Sequence, residues 1–69
     1  MTFDKWMEQV NAEFISCTGI DRDSWPDSCY WDNWDSGFSP REAMIEAILS
    51  EYGEEGLDAF GLLEEYENG

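Results

Sequence analysis

Phe3, Trp6, Met7, Val10, Phe14 and Cys17 recur at spacings of three and four, and no segment of the chain shows the every-second-residue alternation of a half-buried strand. That period limits the fold more than any other feature. It lays one apolar stripe along a helix over Thr2–Cys17. Thr2 can cap the start, Asp4 suits the electropositive first turn, and Thr18-Gly19 supplies the stop.

The rest of the chain reads as further short helices. Ile20 to Trp25 is a connector, and Pro26 pushes Trp25 toward an extended backbone. A short helix is predicted from Pro26 or Asp27 to Ser36, with Gly37 as its left-handed cap. Ser39-Pro40-Arg41-Glu42 is the clearest local signature: Ser39 caps, Pro40 fits the first helical position, and Glu42 reaches back to close a capping box. The helix that follows carries Ala43, Met44, Ala47, Ile48 and Tyr52 on one side and is predicted to stop at Gly53. Leu57, Phe60, Leu63 and Tyr66 then repeat every third residue, predicting a terminal helix over Glu55–Glu67. Gly56 and Gly61 each weaken it by about 1 kcal/mol relative to Ala, so it depends on tertiary packing. The fold class is all-α: three to four short helices in a single domain over residues 1–69.

A chain of 69 residues buries only about 60% of the surface its unfolded form exposes, which leaves a thin core. Hydrophobic residues at 42% and aromatic residues at 16% separate it from the acidic, aromatic-poor composition of disordered tails. Seventeen Asp and Glu face three basic side chains (Lys5, Arg22 and Arg41), for a formal net charge of −14. A compact chain of this length is about 28 Å across, and duplex DNA of that length carries about 16 phosphate charges. Direct binding to nucleic acid or to an anionic membrane is therefore excluded as a primary function, and a basic protein surface is favoured. Solubility alone needs a net charge of only about 2 to 8 in a small domain. Nothing in the N-terminal residues reads as an export signal, and no run reaches the length of a membrane span. Cys17 and Cys29 are accordingly expected as free, half-buried thiols in a reducing cytoplasm.

Catalysis finds little support. Without histidine there is no ordinary general base for a serine or cysteine nucleophile, and the cysteines lack CxxC spacing. The chain reads as a binding protein without cofactor. Asp21, Asp23, Asp27 and Asp32 fall at positions one, three, seven and twelve of an EF-hand loop, but Trp25 replaces an oxygen ligand and Pro26 replaces the turn glycine. No metal site is assigned.

The arrangement of the acids is more telling. Asp4 and Glu8 are four apart on the first helix, Glu42 and Glu46 on the third, and Glu51, Glu54, Glu55 and Asp58 follow at spacings of three and four. Like charges so placed destabilise a helix by about 0.2–0.5 kcal/mol per pair, a cost on the order of 1–2 kcal/mol in sum. Stability does not account for such a pattern. Asp21, Asp23, Asp27, Asp32 and Asp35 are interleaved with Trp25, Tyr30, Trp31 and Trp34. Small proteins build cores from large rings, so the favoured expectation wedges all four rings between helices. The functional alternative is an aromatic anchor, Trp31, ringed by carboxylates. The candidate partner-binding residues are Asp21, Asp23, Asp27, Trp31, Asp32, Asp35, Glu42, Glu46, Glu51, Glu54, Glu55 and Asp58.

The pattern Phe3-x-x-Trp6-Met7-x-x-Val10, then Asp23-x-x-Pro26-Asp27, then Gly37-Phe38-Ser39-Pro40-x-Glu42-Ala43, resembles small acidic proteins encoded by bacteriophages. In charge and size the chain also resembles phage inhibitors that imitate DNA, anti-CRISPR proteins among them. The likeness spans residues 3 to 48 and consists of helix caps and core positions; the segment beyond Gly53 lies outside it. It implies a phage or prophage origin, action in the bacterial host cytoplasm, and transfers no binding residue. The resulting expectation is a monomer or homodimer that blocks the nucleic-acid-binding channel of a CRISPR effector complex or of another DNA-binding host protein. The alternative is a small acidic adaptor or assembly protein that binds through an aromatic patch.

Overall fold

The computed structural model describes residues 2–25 and 29–68. Helix α1 spans Phe3–Thr18, a 3-10 turn spans Arg22–Ser24, α2 spans Tyr30–Asp35, α3 spans Pro40–Ala59 and α4 spans Leu63–Asn68. The described residues contain no strand, and the helices form one globule with extents of 31 × 24 × 18 Å.

The α1 stripe does what its spacing dictates. Trp6, Val10 and Phe14, each four residues on, turn inward, with Phe3, Met7 and Cys17 packed at the edges. Thr2 caps the helix by accepting the Lys5 backbone N–H at 3.3 Å, and Gly19 ends it with φ 74°. The Trp6 indole also donates to the Phe38 carbonyl at 2.9 Å, which ties α1 to the chain just ahead of α3.

Helix α3 is the central element, packed against α1, α2 and α4. Its predicted capping box is present: Ser39 Oγ accepts the Glu42 backbone N–H at 3.1 Å, and Glu42 accepts the Ser39 N–H at 3.0 Å. Neighbours on three sides bury a wide arc of α3, so Ile45 joins Ala43, Met44, Ala47 and Ile48 in the core. Ser39→Ala leaves the Glu42 N–H without its side-chain acceptor. It should lower stability by about 1 kcal/mol, read as a lower urea midpoint with unchanged slope.

Several expectations need correction. The helix does not stop at Gly53; it breaks there and resumes up to Ala59. Gly53 has φ 70° and ψ −165°, a backbone region essentially closed to residues with a Cβ. A Cβ at Gly53 would meet nothing within 4 Å, so the penalty for Gly53→Ala is confined to the backbone. We expect a loss of about 1–3 kcal/mol, measurable by urea unfolding.

The single helix expected over Glu55–Glu67 is two pieces. Leu62 N–H donates to the Leu57 carbonyl at 2.8 Å and Gly61 N–H to the Asp58 carbonyl at 3.0 Å, with Gly61 at φ 73°. That is a Schellman stop, and the accompanying apolar contact is made by the buried pair Leu57 and Leu62. The every-third repeat therefore does not form one buried face: Leu57 is buried, Phe60 and Leu63 are partly so, and Tyr66 is exposed.

Helix α2 begins at Tyr30, and the starts predicted at Pro26 or Asp27 lie outside the described residues. It ends near the expected place, with Gly37 at φ 88°. Trp25 is extended, as its position before a proline requires, but the connector ahead of it holds a 3-10 turn that the residues did not announce. Tyr52, expected on the apolar side of α3, is 55% exposed and packs its ring edge on Trp25 at 5.5 Å. Not all the rings near α2 are wedged between helices: Trp31 is 58% exposed. Cys17 and Cys29 are free thiols; Cys17 is half-buried, whereas Cys29 is exposed and not half-buried as expected.

Candidate partner-binding surface

Every described carboxylate lies at the surface; Glu13 alone is half-buried. The arginines offset this outward charge only at the carboxylates they touch. Arg22 pairs with Asp23 at 2.9 Å and lies over the Tyr30 ring at 5.7 Å. Arg41 reaches Glu13 on α1 at 2.8 Å and Glu65 on α4 at 2.6 Å, joining three helices. Lys5 is exposed and forms no ion pair among the described residues.

These contacts set the titration behaviour. The hydrogen bond to Glu65, then that to Glu13, raises the Arg41 pKa. The same Arg41 hydrogen bond lowers the Glu65 pKa, and the Ser39 backbone N–H followed by its hydroxyl lowers that of Glu42. A carboxylate with a lowered folded pKa contributes stability above its unfolded value of about 4.3, and that contribution vanishes as pH falls through the folded value. The Arg41–Glu65 contribution should therefore be fully present above about pH 4.3 and be lost as pH falls through the lower folded value, weakening the hold on α4. Amide exchange of residues 63–68 checks this, and Glu65→Gln should abolish the pH-dependent part of that protection.

The candidate residues divide among separate places. Glu42 and Glu46 line a groove of about 480 Å³ between the first half of α3 and α4, together with Phe38, Ile45, Glu65 and Tyr66. Glu55 lies beside Tyr52, Ala59 and Phe60 in a shallower depression. The break at Gly53 separates Glu51 from Glu54, Glu55 and Asp58, so the three-four run is divided between two helical segments, as a glycine at that position allows. Asp21 and Asp23 bracket the 3-10 turn, where Asp23 is already held by Arg22. Asp27 lies outside the described residues. Among the described residues, no cluster of Asp, Glu or Cys side chains could hold a metal ion.

Trp31, Asp32 and Asp35 lie together on α2, and there the structure adds what spacing had not placed. Trp31, Trp34 and Phe3 form a triad of rings with centroids 5.0 to 5.6 Å apart. Phe3 belongs to the α1 stripe and Trp34 was expected to face the core, so neither had been assigned to a surface. Asp35 stands one turn on from Trp31, and Asp4 follows Phe3 directly; both are exposed. The groove residues Glu65 and Tyr66 were also missed. The signal available was Arg41, a lone cation among acids whose partners lie 24 and 28 residues away.

No family model, curated protein or solved structure matches the chain.

Proposed function

We propose that this chain is a binding protein that presents a polyanionic surface in place of DNA, occupying the cationic nucleic-acid-binding surface of another protein and so inhibiting it. The observation that carries this reading is a surface on which every described carboxylate stays in contact with solvent, while the two arginines are engaged by Asp23, Glu13 and Glu65 and leave the other described acids without an arginine partner. The net charge of −14 is spread over a body 31 Å long, and duplex DNA of that length carries about 18 phosphates. A groove shaped and charged to hold a duplex meets comparable charge in this chain. A bacterial defence effector of the CRISPR type, with the chain acting as a phage-encoded inhibitor in the host cytoplasm, is the most concrete version. Other DNA-binding host enzymes fit the same chemistry. No described helix is long and apolar enough to cross a membrane.

Salt tests this reading in two directions at once. Screening relieves self-repulsion among crowded acids, so added salt should raise the melting temperature. The same screening should weaken binding to a cationic partner by at least about tenfold between 50 and 300 mM salt. Affinity that holds steady over that range contradicts the proposal.

A second reading, an adaptor that binds through an aromatic patch, is favoured by the exposure of Trp31. In that case Trp31→Ala weakens binding far more than any charge reversal does.

A further inference from the structure

Within the Phe3–Trp31–Trp34 triad, Phe3 and Trp34 are half-buried against the core and carry an exposed Trp31 ring, with exposed acids nearby on the same two helices. We infer that it is an arginine-reading platform: a guanidinium of the partner stacks on the outer face of Trp31 while Asp35 and Asp4 offer carboxylates beside it. This inference rests on the proposed function for the basic character of the partner, and adds which part of the surface anchors it and which basic residue it selects.

Three observations support it. Trp31 is 58% exposed, yet its ring is held by two others at 5.0 and 5.2 Å, so a stacking partner meets a surface already ordered. The flanking charge is mostly negative, with Asp32 and Asp35 on α2 and Asp4 on α1, all exposed, against Lys5, the one exposed cation among the described residues. The chain also uses the same recognition internally: Arg22 lies over the Tyr30 ring at 5.7 Å while pairing with Asp23 at 2.9 Å. An aromatic face beside a carboxylate suits the flat guanidinium, which stacks and hydrogen-bonds in one geometry; a lysine ammonium is a strongly hydrated point charge that does so less well. A second copy of the chain is a poor occupant. Each copy carries −14, and pairing two triads would bring Asp4, Asp32 and Asp35 of one against those of the other.

The probes are two acetylated, amidated peptides of equal charge, Gly-Arg repeats and Gly-Lys repeats, titrated into the whole chain at low ionic strength. Indole N–H signals are followed by NMR. The arginine peptide should bind about two- to fivefold tighter than the lysine peptide, with the largest shifts at the indoles of Trp31 and Trp34. Trp31→Ala should erase that preference and leave the charge-driven binding common to both peptides. Trp31→Leu, which retains apolar bulk but lacks an aromatic face, should erase it as well.

Equal affinities with an unmoved Trp31 signal overturn the platform, while salt-sensitive binding of both peptides leaves the polyanion reading standing. Failure of both peptides to bind overturns the two together. A Trp31 signal that shifts with protein concentration alone overturns the platform in favour of self-association.

Discussion

Reversing Glu46, Glu51, Glu54 and Glu55 together to lysine should cost at least about 100-fold in affinity for the cationic partner while leaving the fold intact. Each reversal adds two charges, so four move the net charge from −14 to −6. Like charges placed opposite one another in an interface cost several kcal/mol, and 100-fold corresponds to about 2.7 kcal/mol. The folded state has reason to tolerate the change. All four side chains are exposed. Glu46 stands four residues from Glu42 on the outer face of α3, and the reversal converts a repulsive pair into an attractive one. Glu51 lies just ahead of the break at Gly53, near the electronegative end of a helical segment, where a cation is favoured. Lysines at 54 and 55 fall at the start of the segment after Gly53, where a cation is disfavoured, so the expected result is lost binding with a melting temperature close to that of the unaltered chain. Glu42 is left out because its carboxylate closes the capping box of α3.

The largest effect on stability should come from Trp6→Ala. Trp6 is 3% exposed, stacks on Phe3 at 6.1 Å and donates its indole N–H to the Phe38 carbonyl. Removing a buried large ring costs about 3–5 kcal/mol, and a chain of this length has only about 3–10 kcal/mol in total. At 25 °C the variant should be largely unfolded or close to it, with far-UV helicity falling cooperatively at low urea. The contrast with Trp31→Ala is informative. That ring is mostly solvated, and its loss should cost about 1 kcal/mol, so its effect on binding can be measured in a folded protein.

How much the residues disclosed depended on how local the cause was. The α1 stripe, the Ser39–Glu42 capping box and the Gly37 stop each arise from side chains within a few positions of one another, and all three are present. The region beyond Gly53 departs from its expected helix because an every-third repeat fits a helix only if the backbone stays helical. Gly61 is legible as a glycine, but a glycine alone does not separate a Schellman stop from a weak point within a helix. Placing Trp31 and Trp34 required knowing that α2 packs on the start of α1, where Phe3 fills the space next to both rings. No local pattern carries that contact. Likewise, the acids were legible as a count but not as a surface: only the fold shows that Arg41 is engaged by Glu13 and Glu65, leaving Glu42 and Glu46 in the groove beside it.

The most direct test immobilises the chain, captures its partner from bacterial lysate at low salt, and elutes with short duplex DNA in one arm and an uncharged polymer in the other. Stand-in for a polyanion predicts release by duplex DNA or by about 0.3 M salt, no release by the polymer, and loss of capture by the four-residue charge reversal. A captured protein that stays bound through duplex DNA and about 1 M salt, and is captured equally by the charge-reversed chain, contradicts the account.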